Sequence, residues 1–287
     1  MAPTMRTAFL VVLLLSGCTK SPRERAKETL LGVVKRTFPT ARVQVADDVL
    51  RVSAVGKYKD VELGVDNLAR QCDDARACEE AAARLVAQLT ALEGSADPKA
   101  LRPMFKTNGW LDSVRSDLAS HPPPEGGERQ TLPSDTFLGD VSVVWMLDGD
   151  QGMKLVTSTD LTELKLTQAE AAKVALANLQ AANDRPLAVK RISAPEDPLV
   201  LALSDKDSLA ASRVLLVERW AEVAKQVKGT LVVMMPNRDL VLATGSDEPK
   251  GVSTMLALGR DTLSTIDHPL STQLIEWNSN GWALYRP

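Results

Sequence analysis

A chain of 287 residues, 44% hydrophobic and 25% charged, has the composition of a folded globular protein and not of a disordered tail. Its length suits one large core or two medium ones, and two are expected. A formal net charge of −3, with no basic cluster, argues against nucleic acid as a partner.

The chain starts with Arg6, an apolar run from Ala8 to Leu15, and then Leu15-Ser16-Gly17-Cys18. An apolar run of this length falls far short of the roughly 20 residues of a bilayer-spanning helix. A cytosolic core strand fits the length, but it needs neither the preceding arginine nor the small residues and cysteine that follow. A basic residue, an apolar run and small residues before a cysteine are the parts of an export signal, and the Leu-Ser-Gly-Cys ending resembles the lipobox of bacterial lipoproteins. That resemblance implies cleavage after Gly17, diacylation of the Cys18 sulfur and a mature chain beginning at Cys18. Residues 1–17 are then the signal peptide and 18–24 a lipidated tether. The partner is the membrane itself, held through acyl chains at about 0.8 kcal/mol per buried CH₂. Thr19 in place of Asp at the second mature position matches outer-membrane sorting, facing the periplasm, in a host with two membranes.

Ser21 before Pro22 predicts a helix start, and Ala26, Leu30, Val33, Val34 and Phe38 recur at helical spacing until Pro39. The period then becomes 2, at Val43 and Val45, at Val49, Leu50 and Val52, and at Val61, Leu63 and Val65, which predicts a three-stranded meander. Asp66 is read as the N-cap of a short helix over Asn67 to Cys72, followed by another from Arg76 to Gly94. Cys72 and Cys78 flank the junction of these helices. With Cys18 lipidated, an even pair in an oxidising compartment most simply forms a disulfide; two free packing thiols and a zinc pair are the alternatives. Zinc lacks partners, since the only histidines are His121 and His268.

An extended piece and a helix are expected between Pro98 and Leu118. The stretch from Ser120 to Gln130, with Pro122-Pro123-Pro124 and Gly126-Gly127, has no apolar period. Residues 121–134 are therefore taken as a Pro/Gly linker between a small α+β domain at 25–120 and a second α+β domain at 135–287. His121 falls in that linker and reads as an exposed loop residue.

The second half alternates hairpins and helices. Val141 to Leu147 and Met153 to Thr157 form a hairpin, after which Thr167 caps a helix over Gln168 to Ala181. Strands at Leu187 to Ile192 and Leu199 to Leu203 precede a helix capped by Asp207, with Leu209, Leu216, Trp220, Val223 and Val227 as one apolar stripe ending at Gly229. A hairpin around Pro236-Asn237-Arg238-Asp239, a helix over Gly251 to Ser264, and a last hairpin around Asn278-Ser279-Asn280-Gly281 complete the chain. The fold class is α+β, with antiparallel sheets, helices packed on them, and repeated hairpin-helix units in the second half.

The words Gly229-Thr230-Leu231-Val232-Val233-Met234-Met235-Pro236-Asn237-Arg238-Asp239-Leu240-Val241-Leu242 and Asp267-His268-Pro269-Leu270-Ser271 resemble the YtpQ-like family of uncharacterised bacterial proteins. Pro103-Met104-Phe105-Lys106 and Ser212-Arg213-Val214-Leu215 fall in the order that family leads one to expect. The resemblance implies no activity and no cofactor, and the lipobox departs from it.

Arg238, Asp239 and His268 are the candidate ligand-binding residues. Arg238 would clamp an anion with Asp239 orienting it, although a tight turn explains both residues by itself. His268 beside Asp267 has the composition of a general base, but no nucleophile or metal motif accompanies it. No catalytic residue, metal ligand set or cofactor is assigned: Gly149 and Gly152 lie in a hairpin turn and form no phosphate loop. The five tryptophans read as core or sheet-face residues. The expected function is a membrane-anchored envelope lipoprotein that binds an envelope protein or small ligand without catalysis; the alternative is a membrane-tethered hydrolase of envelope material using His268.

Overall fold

The structure is a computed structural model that describes residues 20–46, 49–55, 58–91, 97–120, 123, 128–149, 152–205, 207–265 and 268–286. The expected signal at 1–17, with Cys18, Thr19, His121 and Asp267, lies outside the described residues. The fold is α+β and its sheets are antiparallel. The chain divides into two compact units, Met1–Glu93 and Gly94–Pro287.

In the first unit, α1 (Pro22–Thr37) begins where the capping chemistry says it should. Ser21 Oγ accepts from the Glu24 amide at 3.2 Å, and the Ser21 amide donates to Glu24 Oε2 at 2.9 Å. Its buried stripe of Ala26, Leu30, Val33 and Val34 meets Leu50, Val52 and Leu63 of a meander. That meander comprises β1 (Arg42–Ala46), β2 (Val49–Val55) and β3 (Tyr58–Gly64) in the order β1-β2-β3. Helices α2 (Val65–Ala69) and α3 (Ala75–Ala91) complete the core. The expected cap at Asp66 is corrected: α2 starts at Val65, directly after β3, so Asp66 lies inside the helix. The cap that does form is Asp74, whose Oδ1 accepts from the Ala77 amide at 2.8 Å.

The unit boundary falls between Glu93 and Gly94 and not at 121–134. The reason is β4 (Leu101–Thr107), which pairs along its whole length with β6 (Val141–Gly149), from Leu101 opposite Leu147 to Thr107 opposite Val141. That ladder assigns 98–120, including α4 (Asn108–Ser120), to the second unit. The stretch before β5 (Asp135–Leu138) is thus a connection within one body, with Leu132 buried in its core.

Among the described residues the second unit holds two sheets. In the first, β4 lies on one edge of β6, and β5 and β7 (Gly152–Leu155) share the other. After β7 come α5 (Ser158–Leu164) and α6 (Gln168–Ala182). Both carry capping boxes, Thr157 with Asp160 and Thr167 with Glu170. The second sheet has the order β13-β12-β10-β11-β9-β8. Its strands are β8 (Lys190–Arg191), β9 (Leu201–Ser204), β10 (Leu231–Asn237), β11 (Leu240–Gly245), β12 (Leu274–Asn278) and β13 (Gly281–Leu284).

Strand β10 is buried on both faces and locks the two layers together. Leu231, Val233 and Met235 share a cluster with Phe105, Val141 and Val143 of the other sheet. Val232 and Met234 instead meet Val252 and Met255 of α8 (Pro249–Thr265). The helix approaches closely because Gly259 faces Met234: a Cβ there would lie 2.2 Å from the Met234 terminal methyl.

The long helix expected after Asp207 does not form. In its place are two 3₁₀ turns, Ala211–Leu215 and Val217–Trp220, and a single α turn, α7 (Ala221–Ala224). The apolar stripe is buried, but by two different clusters. Leu209 and Leu216 pack with Met104, Leu111 and Val144, whereas Trp220 and Val223 pack with Val233 and Ile275. One straight helix presents its stripe to one surface, so the chain breaks at Leu216 (φ −84°, ψ 64°) to serve both.

Candidate functional site

Of the candidate residues, Cys72 and Cys78 form a disulfide buried in the first unit. Arg25 Nη1 donates to the Cys72 and Asp73 carbonyls, both at 3.1 Å, which ties the short loop to α1. The bridge is a staple of that corner.

Arg238, Asp239 and His268 come together in the second unit. Asn237 pairs with Leu240, so Arg238 and Asp239 are the two residues of the β10–β11 turn. Asn237 Oδ1 accepts from the Asp239 amide at 2.8 Å, which fixes the turn locally. Arg238 Nε donates to Asp239 Oδ2 at 3.4 Å, and the Arg238 side chain is 26% exposed. An isolated bridge between Asn237 and Pro269 carries the chain after α8 past this turn, with the Leu270 and Ser271 amides donating to the Pro236 and Met235 carbonyls. His268 is exposed beside it in the left-handed region (φ 58°).

One further pair, Lys106 and Trp110, was not singled out by the sequence reading. Arg238 O accepts from the Ala211 amide at 3.0 Å, and the 3₁₀ turn that begins at Ala211 packs on β4. On β4, Lys106 lies half-buried, with its ammonium 4.5 Å from the ring centre of Trp110 in α4. Burial, and then the charge of nearby Arg238, hold the Lys106 ammonium below the ordinary lysine range. The only signal in the sequence was Lys106 at the end of Pro103-Met104-Phe105-Lys106, and nothing in a linear reading pairs it with Arg238.

A second constellation surrounds Arg213, which with Asn183, Asp205, Leu187 and Leu203 lines a cavity of about 420 Å³. Arg213 Nε donates to Asn183 Oδ1 at 2.5 Å, and its two terminal nitrogens donate to Asp207 at 3.1 and 2.5 Å. Asp205 Oδ2 lies 3.2 Å from the same guanidinium. Burial raises the Asp207 pKa, but hydrogen bonds from Arg213 and the Leu209 amide, with the charge of Arg213, outweigh it and hold the carboxyl below the ordinary range. Two carboxylates saturate this arginine, so the cavity wall is a structural ion pair.

Among the described residues, no group of three His, Cys, Asp or Glu side chains is placed to hold a metal, and no helix is long and apolar enough to cross a membrane. No family model, curated protein or solved structure matches the chain.

Proposed function

We propose that this chain is a membrane-anchored envelope lipoprotein whose second unit binds an envelope protein or small ligand without catalysis. The observation that carries the anchor is Leu15-Ser16-Gly17-Cys18 behind Arg6 and an apolar run. Two features support it. The buried Cys72–Cys78 disulfide suits an oxidising compartment. The capped start of α1 at Pro22 leaves a tether of only a few residues after Cys18. Thr19 supports placement on the outer membrane, facing the periplasm, in a two-membrane host. Membership of the YtpQ-like family is part of the same reading, because its longest shared word forms the β10–β11 hairpin at the candidate site.

Binding is favoured over hydrolysis because Arg238 holds Asp239 in a turn fixed by Asn237 Oδ1, and no nucleophile or metal motif accompanies His268. Replacing Cys18 with alanine is expected to abolish labelling by a fatty-acid analogue and leave the precursor uncleaved or cleaved elsewhere; equal labelling of variant and parent refutes the anchor. Unreduced peptide mapping is expected to find Cys72 joined to Cys78. Replacing both cysteines should lower stability by about 2 kcal/mol, the chain-entropy value for so small a loop. Rapid alkylation of both thiols in the native protein contradicts the bridge.

A further inference from the structure

The cavity of about 420 Å³ beside Arg213 has one wall that is neither helix nor strand, the loop from Asn183 to Ala188. Two arginines of the 3₁₀ segments hold that loop. Arg213 Nε donates to Asn183 Oδ1, and Arg219 Nη1 donates to the Asp184 and Arg185 carbonyls at 3.2 and 3.4 Å. Pro186, with its fixed φ, stiffens the next position. The loop is thus pinned through Asn183 and its own carbonyls. Asp184 and Arg185 both line the cavity, and among the described residues neither side chain has an ion-pair partner. Leu187 and Leu203 add apolar surface to the same space. A wall fixed in advance, with charge and apolar surface left over, lowers the cost of ordering a ligand against it.

We propose that this cavity binds a small zwitterion with an aliphatic body, Arg185 taking its carboxylate, Asp184 its ammonium, and Leu187 and Leu203 the aliphatic part. The charges decide the class. Arg213 against Asp205 and Asp207 leaves one negative charge, and Arg219, held on the loop carbonyls, adds one positive charge. Asp184 and Arg185 contribute one of each sign, so the described groups around the cavity sum to zero while charges of both signs line it. A ligand of one sign would meet an equal opposing charge, whereas a zwitterion finds a partner for each end. The planar guanidinium of Arg185 suits a carboxylate, and Arg213 takes no part because its acceptors are complete. The volume stands near the lower end of the roughly 300 to 1,000 Å³ of small-molecule pockets, the size of a free amino acid or a short peptide. This inference names a small ligand within the binding reading of the second unit, at a place distinct from the Arg238 turn, and does not depend on the lipid anchor.

The full chain in neutral detergent is titrated separately with L-leucine and with the dipeptide L-alanyl-L-leucine. Leucinamide, which lacks the carboxylate, and isocaproate, which lacks the ammonium, serve as controls. Thermal midpoint and calorimetric affinity are read together. The parent is expected to gain thermal stability with rising zwitterion and to bind each control about tenfold more weakly or worse. Tighter binding of the dipeptide assigns the cavity to peptides; equal or tighter binding of leucine assigns it to free amino acids. Arg185→Gln and Asp184→Asn are each expected to weaken the preferred zwitterion about tenfold while keeping the parent midpoint without ligand. Should one of them unfold, the other decides. Parental affinity in either folded variant overturns the site, and so does a control that binds as tightly as the zwitterion. A parent that responds to neither zwitterion at millimolar concentration overturns it too. Arg238→Gln separates this failure from that of the wider reading: loss of binding there, with parental affinity in both loop variants, moves the ligand to the β10–β11 turn, overturning the cavity and keeping a binding second unit.

Discussion

Arg213 and Lys106 are two cations of the same unit, both drawn out of water, and they differ in what meets them. The Arg213 side chain is 8% exposed, yet each nitrogen finds an oxygen: Asn183, Asp207 twice, and Asp205 alongside. Its own carbonyl accepts from Trp220 Nε1 at 2.9 Å, so the charged cluster also pins the largest side chain of the region. Lys106 has an aromatic face and a neighbouring cation in place of carboxylates. A buried cation with complete acceptors belongs to the scaffold, whereas burial without a carboxylate lowers the pKa of the cation instead.

The largest effect that would sharpen this contrast is Arg213→Met. Losing the guanidinium strands Asn183 and leaves two carboxylates facing each other, with a cost of about 2 to 4 kcal/mol in urea unfolding, the half-exposure of Asp205 and Asp207 keeping it below a fully buried pair. A loss under about 1 kcal/mol would remove Arg213 from the scaffold.

Acid should act next. Asp207 has a depressed folded pKa, and so have Glu170 and Glu24, through hydrogen bonds from the backbone and then the side chain of Thr167 and Ser21. A depressed carboxylate contributes stability above its unfolded value and loses it as pH falls through the folded one, so the decline should set in below about pH 4. Asp207→Asn should flatten the part of that decline that belongs to the second unit. An unchanged acid profile in this variant contradicts the Arg213 assignment.

The smallest effect is expected at Lys106. Lys106→Met removes a desolvated charge beside Arg238 and keeps the stem over Trp110, so stability should stay within about 0.5 kcal/mol of the parent or rise slightly. A loss above about 2 kcal/mol would make Lys106 a scaffold residue like Arg213 and end the contrast.

Local chemistry determined much of this protein. Helix starts written in short-range hydrogen bonds, Ser21 with Glu24 and Thr167 with Glu170, stand in the structure where the sequence puts them. The strands of the first unit, the Arg238-Asp239 turn and the α+β class were legible for the same reason: alternation and turn residues act within a few positions of each other. The Cys72–Cys78 pairing was within reach because, with Cys18 read as lipidated, two cysteines close in sequence were left to pair.

Tertiary structure decided what depends on partners distant in sequence. The pairing of β4 with β6 across more than thirty residues moved the unit boundary from 121–134 to Glu93, because a strand's own period does not name its neighbour. The stripe from Leu209 to Val223 read as one helix, yet two core clusters divided it and broke the chain at Leu216. Arg238 and His268 were legible as turn residues. That the Arg238 carbonyl meets the 3₁₀ turn at Ala211, which itself packs on β4, is a contact for which no run of residues carries a period.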